Sequence, residues 1–283
     1  MNSNLIKNVK EILNQYNIKP SKGLGQNFLV DKIVLNKIIK AADIKPTDVV
    51  LEIGPGLGVL TQELAKKAKT VIAIEKDVKM CEILKENLKI SKNVEIIQSD
   101  ILKIENCKLK IKNYKLVANL PYYITSPVIR KFLETDNKPE LMVLMVQKEV
   151  AQRICAKPPK MSLLAVSVQF YAKPEIVGYI SKQCFWPKPK VDSAIIRIKP
   201  QIDADKKQVD TDLFFKIVKA GFSQPRKQIA GNFKNMLKLN KPLDKTQGKE
   251  KIEAWLSQNK INSNRRAESL SIIDWVNLTN SSK

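Results

Sequence analysis

The chain has 283 residues, 43% of them hydrophobic, enough to bury a sizeable core and too apolar for wholesale disorder. Fifty Lys and Arg against 28 Asp and Glu give a formal net charge of +22, which points to a polyanionic partner, either nucleic acid or an anionic membrane. The absence of histidine excludes Ser-His-Asp and Cys-His nucleophile systems and every His-containing zinc site, and no apolar run approaches the roughly 18 residues of a membrane span. Coding bias in an A/T-rich genome also enriches Lys and Asn, but it leaves the electrostatic consequence in place.

At the N-terminus, Leu5, Ile6, Val9, Ile12, Leu13 and Tyr16 recur at helical spacing and predict an amphipathic helix. The segment lacks a secretory h-region and cleavage site, and Glu11 argues against a transit peptide, so a cytoplasmic location is expected. Cys81, Cys107, Cys155 and Cys184 are scattered without a C-x-x-C pair and read as buried thiols in a reducing compartment; no metal site is expected.

From residue 48 onwards, apolar runs alternate with amphipathic stretches. Strands are predicted at Val49–Gly54, Thr70–Glu75, Val94–Gln98, Tyr114–Asn119 and Leu141–Gln147, with helices at Leu57–Lys67 and Val78–Leu88. This alternation predicts a parallel sheet with helices on both faces and ligands at the carboxyl ends of the strands. The polar segment KPQIDADKKQVD, which begins at Lys199, reads as a linker. Beyond it, Leu213–Ala220, Gln228–Leu237, Ile252–Leu256 and Ile272–Leu278 predict short helices, so two domains are expected, residues 1–200 and 201–283.

Glu52-Ile-Gly54-Pro-Gly56-Leu-Gly58 joins a strand to a helix, where glycines permit a sharp turn and close approach of a ligand. The dinucleotide pattern G-x-G-x-x-G would need glycine at 59, which is Val59, so a nicotinamide-dependent dehydrogenase is disfavoured. The E-x-G-x-G-x-G spacing resembles motif I of the class I methyltransferases. Glu75 ends the second strand, where an acid can accept hydrogen bonds from both ribose hydroxyls. Asp100 follows the third strand, where it can accept from an adenine amine while Ile101 packs on the base. Either acid alone would pass for a helix cap or a solvated charge. Together with the glycines they point to S-adenosylmethionine, a nucleoside without a pyrophosphate.

The fourth strand ends in Asn119-Leu120-Pro121-Tyr122. An adenine N6 is a poor nucleophile because its lone pair is delocalised into the ring. Two acceptors on its hydrogens draw it towards tetrahedral geometry without a strong base, which suits a chain with no histidine. The Asn119 side chain is one such acceptor, and the Leu120 or Pro121 carbonyl is the other. Tyr122 can stack on an extruded base. These residues alone specify adenine or another exocyclic amine on a nucleic acid.

With these motifs the chain resembles the ribosomal RNA adenine N6,N6-dimethyltransferases, specifically the small-subunit group, from about Gly23 to the C-terminus. The resemblance implies a class I Rossmann-like mixed sheet with helices on both faces, carrying the cofactor and catalysis, and a small helical RNA-docking domain. It identifies Gly23-Leu-Gly25-Gln26-Asn27-Phe28-Leu29 as the N-terminal cofactor segment, in which Asn27 and Leu29 contact the cofactor with Gln26 beside them. In Phe185-Trp-Pro-Lys-Pro-Lys-Val-Asp-Ser193, Phe185 matches an aromatic facing the target base, opposite Tyr122. Phe222-Ser-Gln-Pro-Arg226-Lys227-Gln-Ile resembles a basic helix start that binds RNA, except that Pro225 replaces a basic residue. The implied substrate is two adjacent adenosines near the 3′ end of small-subunit ribosomal RNA, in a partly assembled 30S-type subunit. No membrane and no obligate protein partner are implied.

Three other readings compete. The sister enzymes that methylate large-subunit ribosomal RNA and confer antibiotic resistance share the cofactor and strand-end motifs, but the Phe185 and Phe222 segments favour the small-subunit group. DNA adenine methyltransferases more often carry Asp in place of Asn119. A non-catalytic RNA-binding assembly factor could dispense with Asn119 or the glycines, all of which are present here.

Overall fold

In the computed structural model, which describes residues 3–21, 23–104, 111–200, 209–238 and 245–282, the apolar runs of the first half assemble side by side. Helix α1 (Ser3–Gln15), a two-residue strand β1 (Phe28–Leu29) and helix α2 (Lys32–Ala42) come first. Then follow β2 (Val49–Ile53), α3 (Val59–Ala65), β3 (Thr70–Glu75), α4 (Val78–Asn87), β4 (Val94–Gln98), β5 (Tyr114–Asn119), α5 (Thr125–Leu133), β6 (Leu141–Gln147) and α6 (Lys148–Ile154). Strand β2 lies between β3 and β5, with β4 beyond β3 and β6 beyond β5, all parallel. Strands β3 to β6 occupy the predicted residues, whereas β2 stops at Ile53 because Gly54 turns to φ +67°.

Besides β1, three strands escape the sequence reading. After α7 (Leu163–Tyr171) come β7 (Ala172–Ile180), β8 (Phe185–Trp186) and β9 (Ser193–Pro200). Strand β9 runs antiparallel to β6, with Gln147 opposite Ser193 and Met142 opposite Ile198. The sheet order is β4-β3-β2-β5-β6-β9-β7, so the sheet is mixed, and β1 pairs with β8 as a separate antiparallel ribbon.

The contacts divide the chain into two units, Met1–Ala151 with Lys173–Pro200, and Gln152–Ala172 with Gln201–Lys283. A single boundary at residue 200 therefore misplaces Gln152–Ala172. The cause is apolar packing: Phe170 of α7 stacks on Phe214 at 4.2 Å, within α8 (Thr211–Gly221), and Ala165 and Val166 join the same core. Helices α9 (Ile229–Lys238), α10 (Lys245–Gln258) and α11 (Ile272–Asn280) complete the described part of that unit. Most of the expected linker, residues 201–208, lies outside the described residues, as does Cys107. Of the other cysteines, only Cys81 is fully buried; Cys155 and Cys184 are half-buried, and none of the three is in a disulfide. No described helix is long and apolar enough to cross a membrane.

In the helical unit the last residue of α8, Gly221, faces the Trp275 ring. A Cβ there would lie 2.4 Å from Trp275 Cη2, and Trp275 is fully buried. Overpacking of this kind costs about 1–3 kcal/mol, more than the roughly 1 kcal/mol that alanine gains over glycine in a helix. Gly221→Ala should therefore lower the melting temperature by several degrees, on the order of 2–4 °C per kcal/mol at this size. An unchanged or raised transition in calorimetry would show that the indole has room to move.

Candidate active site

The turn after β2 forms the floor of the site. Gly54, Gly56 and Gly58 lie at φ +67°, +57° and +83°, a region closed to most L-residues. At Gly58, which caps α3, a Cβ would also come within 2.7 Å of Leu84 Cδ1. The turn is tied to the end of β3 by one carboxylate: Glu75 Oε2 accepts from the Gly56 N–H (3.1 Å), and Oε1 from the N–H groups of Lys76 (2.8 Å) and Asp77 (2.9 Å). Burial raises the Glu75 pKa, and these three N–H donors oppose the rise.

Glu52, on β2, is 1% exposed, and its Oε2 has no hydrogen-bond partner. Burial pushes its carboxyl up to about 8; the nearby Thr61 hydroxyl offsets this in part, and the Glu75 charge adds to it. Asp100, beyond β4, behaves differently. Partial burial pushes its pKa upward, but the Lys76 ammonium at 3.0 Å and the Leu102 N–H at 3.0 Å outweigh it and hold the carboxyl below its usual value.

The segment before β1 closes one side. Gln26 Oε1 accepts from the Ser21 N–H (2.8 Å) and Gln26 Nε2 donates to Asp77 Oδ2 (3.0 Å), so this side chain straps the segment to the N-cap of α4. Asn27 Nδ2 donates to Gly25 O, and the Asn27 carbonyl accepts from Asn119 Nδ2 (3.3 Å) at the end of β5. A carbonyl can only accept, so this contact sets the Asn119 amide with its nitrogen towards Asn27 and leaves Oδ1 as a free acceptor at the cleft. Just beyond, Leu120 N–H donates to Met145 O, while the Pro121 carbonyl accepts from Ile124 N–H at 3.1 Å. Of the two backbone acceptors expected beside Asn119, Leu120 O is thus the less committed. The Tyr122 hydroxyl is 2.8 Å from Ser193 Oγ, and burial raises its pKa, so the phenol stays protonated and its ring is anchored.

Gln26, Asn27, Leu29, Gly54, Gly56, Glu75, Asp100, Ile101, Asn119, Leu120, Pro121, Tyr122 and Phe185 all line one cleft, whose empty volume including its open mouth is about 1250 Å³. Phe185 reaches it from β8, packed in the apolar cluster that includes Leu29, Ile180 and Ile195. Sequence reasoning missed Glu52 as a lining group and Lys76 as the partner of Asp100. A carboxylate at a fully buried strand position was the available signal for Glu52. Arg226 and Lys227 belong to the other unit, exposed on the turn between α8 and α9. Helix α9 begins only at Ile229, so Pro225, Arg226 and Lys227 sit in that turn and not in the expected helix start.

A mixed sheet with a glycine turn and acids at successive strand ends defines the class I, Rossmann-like methyltransferases. The sequence profile of the ribosomal RNA adenine dimethylase family matches residues 17–282. Proteins named ribosomal RNA small subunit methyltransferase A are similar throughout. One from Dehalococcoides mccartyi is 47% identical over 97% of this chain and 92% of its own length, and one from Clostridioides difficile is 41% identical over 96% and 93%. Among solved structures, a dimethyladenosine transferase from Plasmodium falciparum superposes with a TM-score of 0.76, at 30% identity over 89% of this chain and 95% of that one. The 23S rRNA methyltransferase ErmE gives 0.70 at 26% identity over 90% and 99%. The chain belongs to the ribosomal RNA adenine dimethylase family and is an S-adenosylmethionine-dependent methyltransferase.

The raised Glu52 carboxyl links stability to pH. The native state keeps this proton up to about pH 8, whereas the unfolded chain releases it near 4.5. Unfolding therefore releases a proton in that window, and the native state loses stability as pH rises through it, then levels off. Glu52→Gln should give little gain in melting temperature at pH 4.5 and a gain of several degrees by pH 8, constant above. A gain equal at every pH would mean that Glu52 ionises normally.

Proposed function

We propose that this protein transfers methyl groups from S-adenosylmethionine to N6 of two adjacent adenosines in the 3′-terminal hairpin of small-subunit ribosomal RNA, giving N6,N6-dimethyladenosine, within a partly assembled subunit in the cytoplasm. The observation that carries this reading is Asn119. Its amide is held by the Asn27 carbonyl with one acceptor left over, in the cleft that also holds the acids suited to a nucleoside. Identity of 41–47% to relatives named for the small subunit, against 26% to the 23S enzyme, supports the small-subunit substrate over the large.

The charge of the cleft fits the cofactor. Among the described residues its lining carries the carboxylates of Glu75 and Asp100, a protonated Glu52, and one cation, Lys76, which is committed to Asp100. Such a lining repels a pyrophosphate and suits a ligand bearing ammonium and sulfonium charges. Glu75 would hold the ribose hydroxyls and Asp100 the adenine amine, with Ile101 against the base and Gly54, Gly56, Asn27, Leu29 and Asn119 around the remainder. Gln26 serves the same site through its strap to Asp77. When bound, S-adenosylmethionine supplies an electrophilic methyl group on a sulfonium.

The protein's own residues activate the acceptor. Asn119 Oδ1 and the Leu120 carbonyl accept hydrogen bonds from the two N6–H groups and turn the nitrogen lone pair out of the ring plane; the one proton displaced by the methyl group leaves to solvent. Pro121, with φ −55°, helps fix the direction of that backbone. Tyr122, anchored through Ser193, stacks on the target adenine, and Phe185 closes the opposite side. In the other unit, Arg226 and Lys227 contact RNA phosphates.

Asn119→Ala should leave RNA binding largely intact and slow methyl transfer by about 10²–10³-fold, the scale for losing one preorganised transition-state hydrogen bond. Asn119→Asp, which still accepts, should retain partial activity. Single-turnover methylation of unmodified small subunits with nucleoside mass spectrometry measures both. A parental rate for Asn119→Ala would rule out this mechanism and favour a different acceptor.

A further inference from the structure

Strand β7 is one of the two outer strands of the seven-stranded sheet, and its exposed residues Lys173, Glu175, Val177 and Tyr179 alternate along it. Tyr179 is 52% exposed and Val177 43%, an unusual use of large apolar surface on an edge strand. Lys148 Nζ sits 5.2 Å from the centroid of the Tyr179 ring, close enough for a cation–π contact that restrains the ring while much of its surface stays open.

This patch is continuous with the wall of the active site. Lys148 is the residue immediately after β6, and its N–H donates to Asp192 O (3.0 Å). Asp192 Oδ1 in turn accepts from the Lys182 N–H (3.0 Å). The next residue, Ser193, holds the Tyr122 hydroxyl at 2.8 Å. Patch and target-base wall thus share the carboxyl-end rim of the sheet. Lys148 and Lys182 lie along it, with Lys188 and Lys190 exposed on the segment that leads into Asp192, and none of the four forms an ion pair among the described residues. An open aromatic face among uncompensated cations matches the chemistry of unpaired RNA, which is held by base stacking and phosphate contacts.

We propose that Tyr179 and Lys148 form a stacking platform for a substrate nucleotide that flanks the target adenosine, outside the methyl-transfer cleft. This rests on the RNA methyltransferase reading. The ring takes the base of the flanking nucleotide, and Lys148 with the neighbouring lysines takes its phosphates. The platform would hold the strand so that the adjacent adenosine stays extruded towards Tyr122.

The test is steady-state methylation of unmodified small subunits by the full-length protein, with KM for the subunit and KM for the cofactor measured separately. Tyr179→Ala should raise KM for the subunit about tenfold, the scale of losing one base stack, with kcat and KM for the cofactor unchanged. Tyr179→Trp should restore it, whereas Tyr179→Leu, apolar but unable to stack, should not. Lys148→Met should raise the same KM and make it less sensitive to salt. An unchanged KM in Tyr179→Ala, or rescue by Leu equal to that by Trp, overturns the platform. Failure of the parent protein to methylate the subunit overturns the functional reading instead, so the two failures are distinguishable.

Discussion

One carboxylate holds the cofactor end of the site together. Glu75 accepts from the N–H groups of Gly56, Lys76 and Asp77, and so joins the glycine turn after β2 to the start of α4. The turn needs this anchor because its three glycines sit at positive φ and have no side chains to hold them. Burying an acid so deeply is unfavourable by itself, and the three donors are what make it tolerable. The same arrangement leaves the carboxylate at the cleft wall, so the group that sets the architecture is also the one proposed to hold the ribose. Asp77 extends the framework to Gln26 and the segment before β1, whose next residue orients Asn119.

Charge is separated along the molecule. The chain as a whole carries +22, yet the cleft is acidic. The positive exterior attracts the phosphate backbone at long range, while the cleft disfavours phosphate and favours a cationic cofactor. An enzyme that methylates a polyanion with a cation benefits from keeping the two fields apart. Methyl transfer to N6 requires little acid–base chemistry, and the acceptors proposed for it, Asn119 Oδ1 and a backbone carbonyl, are neutral, in keeping with a chain that has no histidine.

The parallel half of the sheet was legible because buried parallel strands read as unbroken apolar runs: TVIAIE and LMVLMVQ could hardly be anything else. The lining of the candidate cleft was legible for a related reason, since many of its residues fall at the ends of those strands. The antiparallel edge was not. Strand β7 contains Pro174 and Gly178, both of which argue against a strand, yet an outer strand tolerates them because, among the described residues, one of its edges pairs with no other strand. The assignment of Gln152–Ala172 to the helical unit was also hidden, because α7 is apolar on nearly every side and its sequence does not say which core it joins. The orphaned Glu52 oxygen and the Lys76–Asp100 pair depend on three-dimensional neighbours that no spacing encodes.

The central claim is that this cleft methylates N6 of paired neighbouring adenosines in small-subunit ribosomal RNA. The most direct test incubates the protein with methyl-labelled S-adenosylmethionine and ribosomal subunits that lack the modification, then maps the labelled nucleotides. The account predicts label in two adjacent adenosines near the 3′ end of the small-subunit RNA, recovered as N6,N6-dimethyladenosine. Label confined to large-subunit RNA, or bound protein with no label transferred, would contradict it.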